Sequence, residues 1–545
     1  MSIKNLMKKI FCADLSVIIA EKWKQIPSLY KKTFFILFIS QIVVFGFFMI
    51  NFQWGNHDWE FLIGQGNYNR VGHGRFMAFL FPMIFTFSNY LPFISYFWLH
   101  IGVALTVIML LIYWRAPKSI LIFIMIGLLF VLNPYRIVWF FFVMGETCVS
   151  WLPVCVLLGL ILSENAAKTA NKIKTITLNS ASIILFFIAL SSYPVVINIF
   201  CAVVIGRFII DLHSIDINKE NAIKIFNQFK YQILNFFISG LLFLSVILIL
   251  KYKQIIKPMQ HTTALLPLND ILPRIFALMR DIFSSLSSAH FVFIPKYYTW
   301  IFLIVIITAL MVSLIYMISK TESAKGKIVK IFIWTASLFF LLFLSQFSNI
   351  ITRDYMWTTR VLYYSFPYMQ VLMLILIFKF NNAVFVKNIT ILLCFALIYI
   401  SVLQDFEAQK VWKLGFESEK MMWNRAIYTI ESNPNYVKDK KYNIFQVGLF
   451  PSMRSKYYKN KHGEDLYLLN SPYDANWLPG RIIQFYSNIK IDKRFSELDD
   501  KTIDKFKDEL KKAKVFPAKQ SVMIKENDIV IILDGRALSN IKKNI

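Results

Sequence analysis

The chain has 545 residues, a formal net charge of +27, 57% hydrophobic residues and only 17% charged ones. With a mean hydropathy of +0.54, this composition excludes a string of soluble domains, whose surfaces need far more charge, and predicts a polytopic α-helical membrane protein. The 59 Lys and Arg against 32 Asp and Glu do not indicate a nucleic-acid partner, because long apolar runs recur from residue 33 to residue 404. The excess basic charge reports membrane topology instead.

In chain order, residues 1–32 are basic and mixed, carry no signal-peptide cleavage site, and read as a cytoplasmic N-terminus. Eleven apolar runs follow, near 33–50, 92–114, 119–133, 147–162, 176–193, 195–212, 232–250, 298–318, 328–348, 361–379 and 388–404. A helical crossing needs about 20 apolar residues. The run at 119–133 is short enough to be re-entrant, and the stretch 76–91 stays outside the count as an interfacial segment. With the N-terminus inside, the short lysine-rich loops fall on the inner side, and eleven crossings put residues 405–545 outside.

The membrane domain of 33–404 then has two long outer loops, 51–91 and 251–297. In the second, ILPRIFALMRDIF has helical amphipathicity. Residues 405–545 read as an extracytoplasmic α/β domain. It begins in helical periodicity (FEAQKVWKLGFESEK), carries buried strands at YNIFQVGLF and DIVIILD, and has a charged helix near 496–514. The five cysteines all precede residue 405 and match no metal-binding spacing.

Acids are scarce in the membrane half: 19 of the 32 lie in 405–545, leaving 13 before it. Of those, Asp58, Glu60, Glu146, Asp270, Asp281 and Asp354 fall outside. An ionisable group at a span edge is costly and therefore a functional candidate. The densest cluster is NHDWEFLIGQGNYNRVGHGR at 56–75, with Asp58, Glu60, His57, His73, Arg70 and Arg75. A carboxylate beside apolar surface can act as a general base, and arginine forks bind phosphate. A solvated loop whose acids pair with its arginines is the competing reading. The histidines match no metal motif, so no metal is expected. Glu146 opens a span, with Arg136 as its candidate partner. Arg353 and Arg360 flank Asp354 ahead of another span, as a surface ion pair or a phosphate site.

Three segments carry a resemblance. They are the acid-bearing loop closing in Gly74-Arg75, the segment LNPYRIVWFFFVMGETCVSWLPVCVLLGL (132–160), and SSYPVVINIF (191–200), which places Tyr193 between two spans. In this order and topology the chain resembles the serotype-converting, Gtr-type O-antigen glucosyltransferases, integral-membrane enzymes of GT-C type. The resemblance covers 33–404 in layout, with the motifs confined to about 60 residues. It departs from the family where paired aspartates become His57-Asp58, where an arginine is replaced by Phe61, and where the second acid is Glu146.

The resemblance implies transfer of a sugar, usually glucose, from an undecaprenyl-phosphate carrier to lipid-linked O-antigen at the periplasmic face of the bacterial inner membrane. A donor synthase and a carrier flippase would be accessory partners. Asp58 would be the base, with Glu60 or Glu146 orienting the acceptor or substituting for it. Arg75, with Arg70, His57, His73, Arg136, Arg353, Arg360 and Tyr193, would bind substrate. No cofactor is required. Two other readings compete: an O-antigen polymerase or ligase, which need not end in a folded domain of about 140 residues, and a flippase or transporter. The last would place polar groups mid-span and show repeat symmetry.

Overall fold

The computed structural model describes residues 21–51, 75–89, 91–141, 143–215, 219–255, 266–287, 294–353, 362–448, 479–494 and 498–545. Within the bilayer a chain must satisfy its backbone N–H and C=O groups internally, so each apolar run becomes a helix. These are α1 (Ser28–Ile50), α3 (Pro92–Tyr113), α4 (Ile120–Val131), α5 (Val143–Lys168), α6 (Lys172–Ser192), α7 (Val196–His213), α8 (Lys219–Tyr252), α10 (Lys296–Lys320), α11 (Ala324–Leu344), α12 (Phe366–Phe380) and α13 (Val384–Glu431). Among the described residues the series is interrupted by the non-crossing helices α2 (Leu80–Thr86) and α9 (Ile271–Ser287) and by one helical turn at Phe347–Ile351. Start signals are local. The Asn171 side chain accepts from Lys174 N–H at 3.1 Å ahead of α6, and Ser323 Oγ accepts from Gly326 N–H at 3.0 Å ahead of α11.

Among the described residues nine helices are long and apolar enough to cross a membrane, and α4 and α12 are shorter apolar ones. The chain is a polytopic helical membrane protein. The short α4, about 18 Å of helix, is followed after Asn133 by a 3-10 helix at Pro134–Phe141. In α12 every residue but Lys379 is buried, which makes it the central helix, apolar all round. Lipid tails are as apolar as leucine, so the helices associate through close packing and internal polar contacts. At Gly102 of α3 an added Cβ would sit 3.0 Å from the Ser150 carbonyl oxygen of α5. A side chain there would crowd the α5 backbone, and glycine permits the close approach.

One end of the bundle is fastened by charge and hydrogen bonds. Arg115 lies 3.4 Å from Glu164 and 3.6 Å from Asp211; Arg207 Nε is 2.7 Å from Asp211; Lys168 is 2.6 Å from Glu164. Gln228 Nε2 donates to Asp211 at 2.9 Å, and Lys379 Nζ donates to the Arg115 carbonyl at 3.0 Å. This ionic end joins α3, α5, α7, α8 and α12.

Past the membrane run α13 does not stop at residue 404. It continues to Glu431 as one helix of 48 residues, so the expected domain boundary at 405 lies inside a helix. Gln409 Nε2 still donates to the Val44 carbonyl of α1 at 2.8 Å. Beyond it come β1 (Lys441–Val447), α14 (Pro479–Tyr486), β2 (Lys490–Arg494), α15 (Asp500–Lys505), α16 (Lys507–Lys512), β3 (Val522–Lys525), β4 (Asp528–Ile532) and α17 (Gly535–Asn544).

The sheet order is β2-β1-β4-β3, with β1 parallel to β2 and β4, and β3 antiparallel to β4. Alternate side chains serve opposite faces. Tyr442, Ile444, Ile529 and Ile531 pack with Trp423 and Ile427 of α13 and Ile482 of α14. Phe445, Val447, Val530 and Ile532 pack with Phe506, Leu510 and Leu538 on the other face.

Two predictions follow from this unit. Gly448 has φ +73°, and a Cβ there would meet Asp534 Cβ at 2.2 Å. Asp534 is the N-cap of α17, accepting from Ala537 N–H at 2.8 Å. Gly448→Ala is expected to cost at least about 1–2 kcal/mol, the left-handed backbone penalty alone, and to make residues 441–545 more sensitive to limited proteolysis. Unchanged protease resistance would contradict this.

The second prediction concerns acid. The Thr502 hydroxyl and N–H hold the Asp499 carboxyl below its ordinary value, and Lys505 does the same for Glu526, 2.7 Å away. Folded pKa values below the unfolded ones contribute stability above pH about 4 that is lost as the pH falls through the carboxylate range. Amide protection across 498–532, taken relative to the intrinsic exchange rate at each pH, should fall below about pH 4 and stay flat from about pH 5 to 8.

Candidate functional site

At the end of the bundle opposite the ionic cluster, Tyr193 occupies the junction of α6 and α7. Pro194 follows, and the residue before a proline is driven to extended backbone, here φ −155° and ψ 100°. α6 therefore ends at Ser192, while Tyr193 N–H still donates to the Ala189 carbonyl at 3.0 Å. The Tyr193 ring is buried. The Arg75 guanidinium lies over it, 4.5 Å from its centroid. Trp139 of the 3-10 helix stands edge-on at 6.0 Å, and Tyr364 lies at 5.7 Å from Tyr193 and 5.9 Å from Trp139.

The Arg75 segment is pinned in turn. Met77 N–H donates to the Ser191 carbonyl at 3.2 Å, and the Phe76 ring lies 5.8 Å from Phe187 and 6.0 Å from Phe243. The close of the first long loop, the Asn-Pro-aromatic segment and the Tyr193 segment, far apart in sequence, thus meet around one ring. A guanidinium fixed on an aromatic face keeps one orientation, which suits fork-like contact with a phosphate.

Neighbouring polar groups tie the same end together. Asn198 Nδ2 donates to Ser348 Oγ and Asn198 Oδ1 accepts from Ser348 N–H, both at 3.0 Å; Gln346 donates to Ser365. Asn133 Oδ1 accepts from Tyr135 N–H at 3.1 Å, opening the 3-10 helix, while its amide donates to Gln370 at 2.9 Å. Arg353 lines a separate recess of about 590 Å³ with Asp270 and Arg274. An apolar groove of about 620 Å³ runs between α7, α8 and α11, from Leu344 to Ile215, lined by Phe208, Phe229 and Phe340.

Arg136 departs from its sequence expectation. It is 1% exposed. Its Nη1 donates to Gln41 Oε1 at 2.6 Å and to the Val131 carbonyl at 2.7 Å, and its Nη2 lies 3.2 Å from His100 Nδ1. The rings of Phe45 and Phe140 flank it at 5.3 and 5.0 Å. A guanidinium enclosed in this way locks α1, α3 and the 3-10 helix together; it is not placed to meet a lipid-borne phosphate. The sequence reading missed Gln41 and His100, polar residues inside apolar runs that could have signalled this core.

It also assigned Asp405 to the tail. Asp405 is 1% exposed and lies within electrostatic reach of Arg136, and neither carboxylate oxygen has a hydrogen-bond partner among the described residues. Glu146 lies in the first turn of α5, its side chain outside the described set. His57, Asp58, Glu60, Arg70, His73 and Arg360 lie outside the described residues. Among the described residues no group of His, Cys, Asp and Glu could hold a metal ion. Comparison with family models, curated proteins and solved structures finds no match to this chain.

Proposed function

We propose that the chain is an integral-membrane glycosyltransferase of GT-C type. It moves a sugar, glucose by the resemblance, from undecaprenyl phosphate to lipid-linked O-antigen at the periplasmic face of the bacterial inner membrane. The observation that carries this reading is the convergence of Arg75, Trp139 and Tyr193, one from each motif-bearing segment, at a single end of the bundle. In this reading that end and the tail beyond Lys413 face the periplasm, and the ionic end faces the cytoplasm. The lateral groove along α7, α8 and α11 is suited to the hydrocarbon chain of the donor.

The chemistry is an in-line displacement. A carboxylate, assigned to Asp58, takes the proton of an acceptor hydroxyl. The acceptor oxygen bonds to the anomeric carbon, and the bond from that carbon to the phosphate oxygen breaks with inversion. The bonding pair leaves with the polyprenyl phosphate, whose charge Arg75 compensates, with Arg70, Arg353 or Arg360 as further donors. Glu60 or Glu146 orients the acceptor.

A transporter is favoured by one observation, the buried polar line from Asn133 through Gln370 to Tyr298, at 2.9 and 3.3 Å. The discriminating experiment compares O-polysaccharide from cells with and without the protein. An added side-branch sugar is the expected result. A change in chain length alone would favour a polymerase or ligase, and unchanged polysaccharide would overturn the transferase.

A further inference from the structure

We propose that α9 is an in-plane helix seated in the interface of one bilayer leaflet, at the end of the bundle that carries Tyr193. Its 17 residues form about 25 Å of helix, but Arg274, Arg280 and Asp281 interrupt the apolar pattern, and the helix is not among the crossing ones. Its apolar residues divide between two adjoining faces. Leu278 and Ile282 are buried against Phe343 and Ile350. Leu272, Phe276 and Phe283, with Leu268 just before the helix, are 61–84% exposed. The spacing of four, four and seven residues puts these four side chains on one stripe.

What covers that stripe follows from its height. Phe343 is the penultimate residue of the crossing helix α11, so α9 lies level with the end of a span, where acyl chains meet headgroups. The stripe is bordered by Arg280, whose side chain is 75% exposed, the arrangement in which a basic residue reaches toward headgroups above an apolar face. Arg274, on the flank away from the stripe, ties α9 to the chain after α11. It donates to the carbonyls of Asn349, Thr352 and Arg353 at 3.1, 3.2 and 2.8 Å. The helix therefore sits on the bilayer and holds the stretch 349–353 at a set depth.

The test places a nitroxide label at Leu272→Cys, Phe276→Cys, Phe283→Cys and Arg280→Cys. The full chain, with its native cysteines replaced by alanine, is reconstituted in vesicles of phosphatidylethanolamine and phosphatidylglycerol. Collisions with oxygen should dominate those with a water-soluble nickel chelate at 272, 276 and 283, and the order should reverse at 280. Equal access to the nickel chelate at all four positions would overturn the proposal. So would spin–spin broadening that disappears on dilution with unlabelled protein, which would assign the stripe to a second copy of the chain. A second measurement uses the unmodified protein and a phospholipid with a photoreactive acyl chain. Cross-links mapping to 268–283 are expected, and their absence, with cross-links present on α8 and α10, would overturn the proposal.

Discussion

Asp58→Asn is expected to lower sugar transfer by about a hundred- to ten-thousand-fold, the range general-base catalysis contributes, with the amount of protein in the membrane unchanged. The carboxamide keeps the size of the side chain and removes the basic oxygen, so a loss reports proton transfer rather than packing. Glu60→Gln and Glu146→Gln are the comparisons: a group that orients the acceptor should raise the substrate requirement more than it lowers turnover. The measurement is transfer from undecaprenyl-phosphate sugar to acceptor in isolated membranes. Full activity in Asp58→Asn, with loss in either glutamate variant, would move the base to that glutamate. The scarcity of acids in the membrane half makes this a short series.

The second large effect is structural and sits at the ionic end. Arg207 has 1% of its side chain exposed and Asp211 8%, so their pair is buried. Removing one partner of such a pair costs up to about 3–5 kcal/mol, and less here because Arg115, 3.6 Å from Asp211, still offsets part of the charge. Arg207→Met is expected to lower the thermal midpoint in detergent markedly, whereas Lys168→Ala, 60% exposed, should change stability by no more than about 1 kcal/mol. The double variant Arg207→Met, Asp211→Leu should recover much of the loss, because the charge left behind is then removed as well. A midpoint for Arg207→Met equal to that of Lys168→Ala would show that the cluster does not fasten the helix ends.

Much of the fold could be read from the amino acids because a bilayer allows so few solutions. Apolar runs of the right length must be helices, and α1, α3, α6, α7, α10 and α11 lie within a few residues of their expected places. The short run at 119–133 is followed by a 3-10 helix at Pro134–Phe141 that composition does not announce. The boundary at 405 was misplaced for a physical reason. Hydropathy falls there, but helical periodicity continues, and Asp405 and Gln409 still pack inside the bundle.

In the tail, β1 and β4 stood out because both their faces are buried. β2, the charged Lys490–Arg494, and the four-residue β3 lie at the sheet edges, where polar side chains and shortness hide a strand. At the site, Arg75 and Tyr193 were named by their segments. Trp139 and Tyr364 were not, since in a chain with 17% aromatics no spacing distinguishes them.

The uninterrupted course of α13 has a mechanical consequence. A tail joined through a flexible linker would sweep a volume and meet its substrate by diffusion. Here the last helix leaves the bundle beyond Lys413, which still lies over Phe47 of α1, and runs 18 further residues to Glu431, about 27 Å of rigid rod. The sheet packs along that rod, through Phe416, Trp423, Ala426, Ile427 and Ile430. Its distance from the bundle is set by residue count and its heading by helical phase. A residue inserted between Lys413, the last contact with α1, and Phe416, the first with the sheet, would turn the sheet by about 100° and shift it by about 1.5 Å, so the orientation of the tail toward the Tyr193 end is encoded in the phase of one helix.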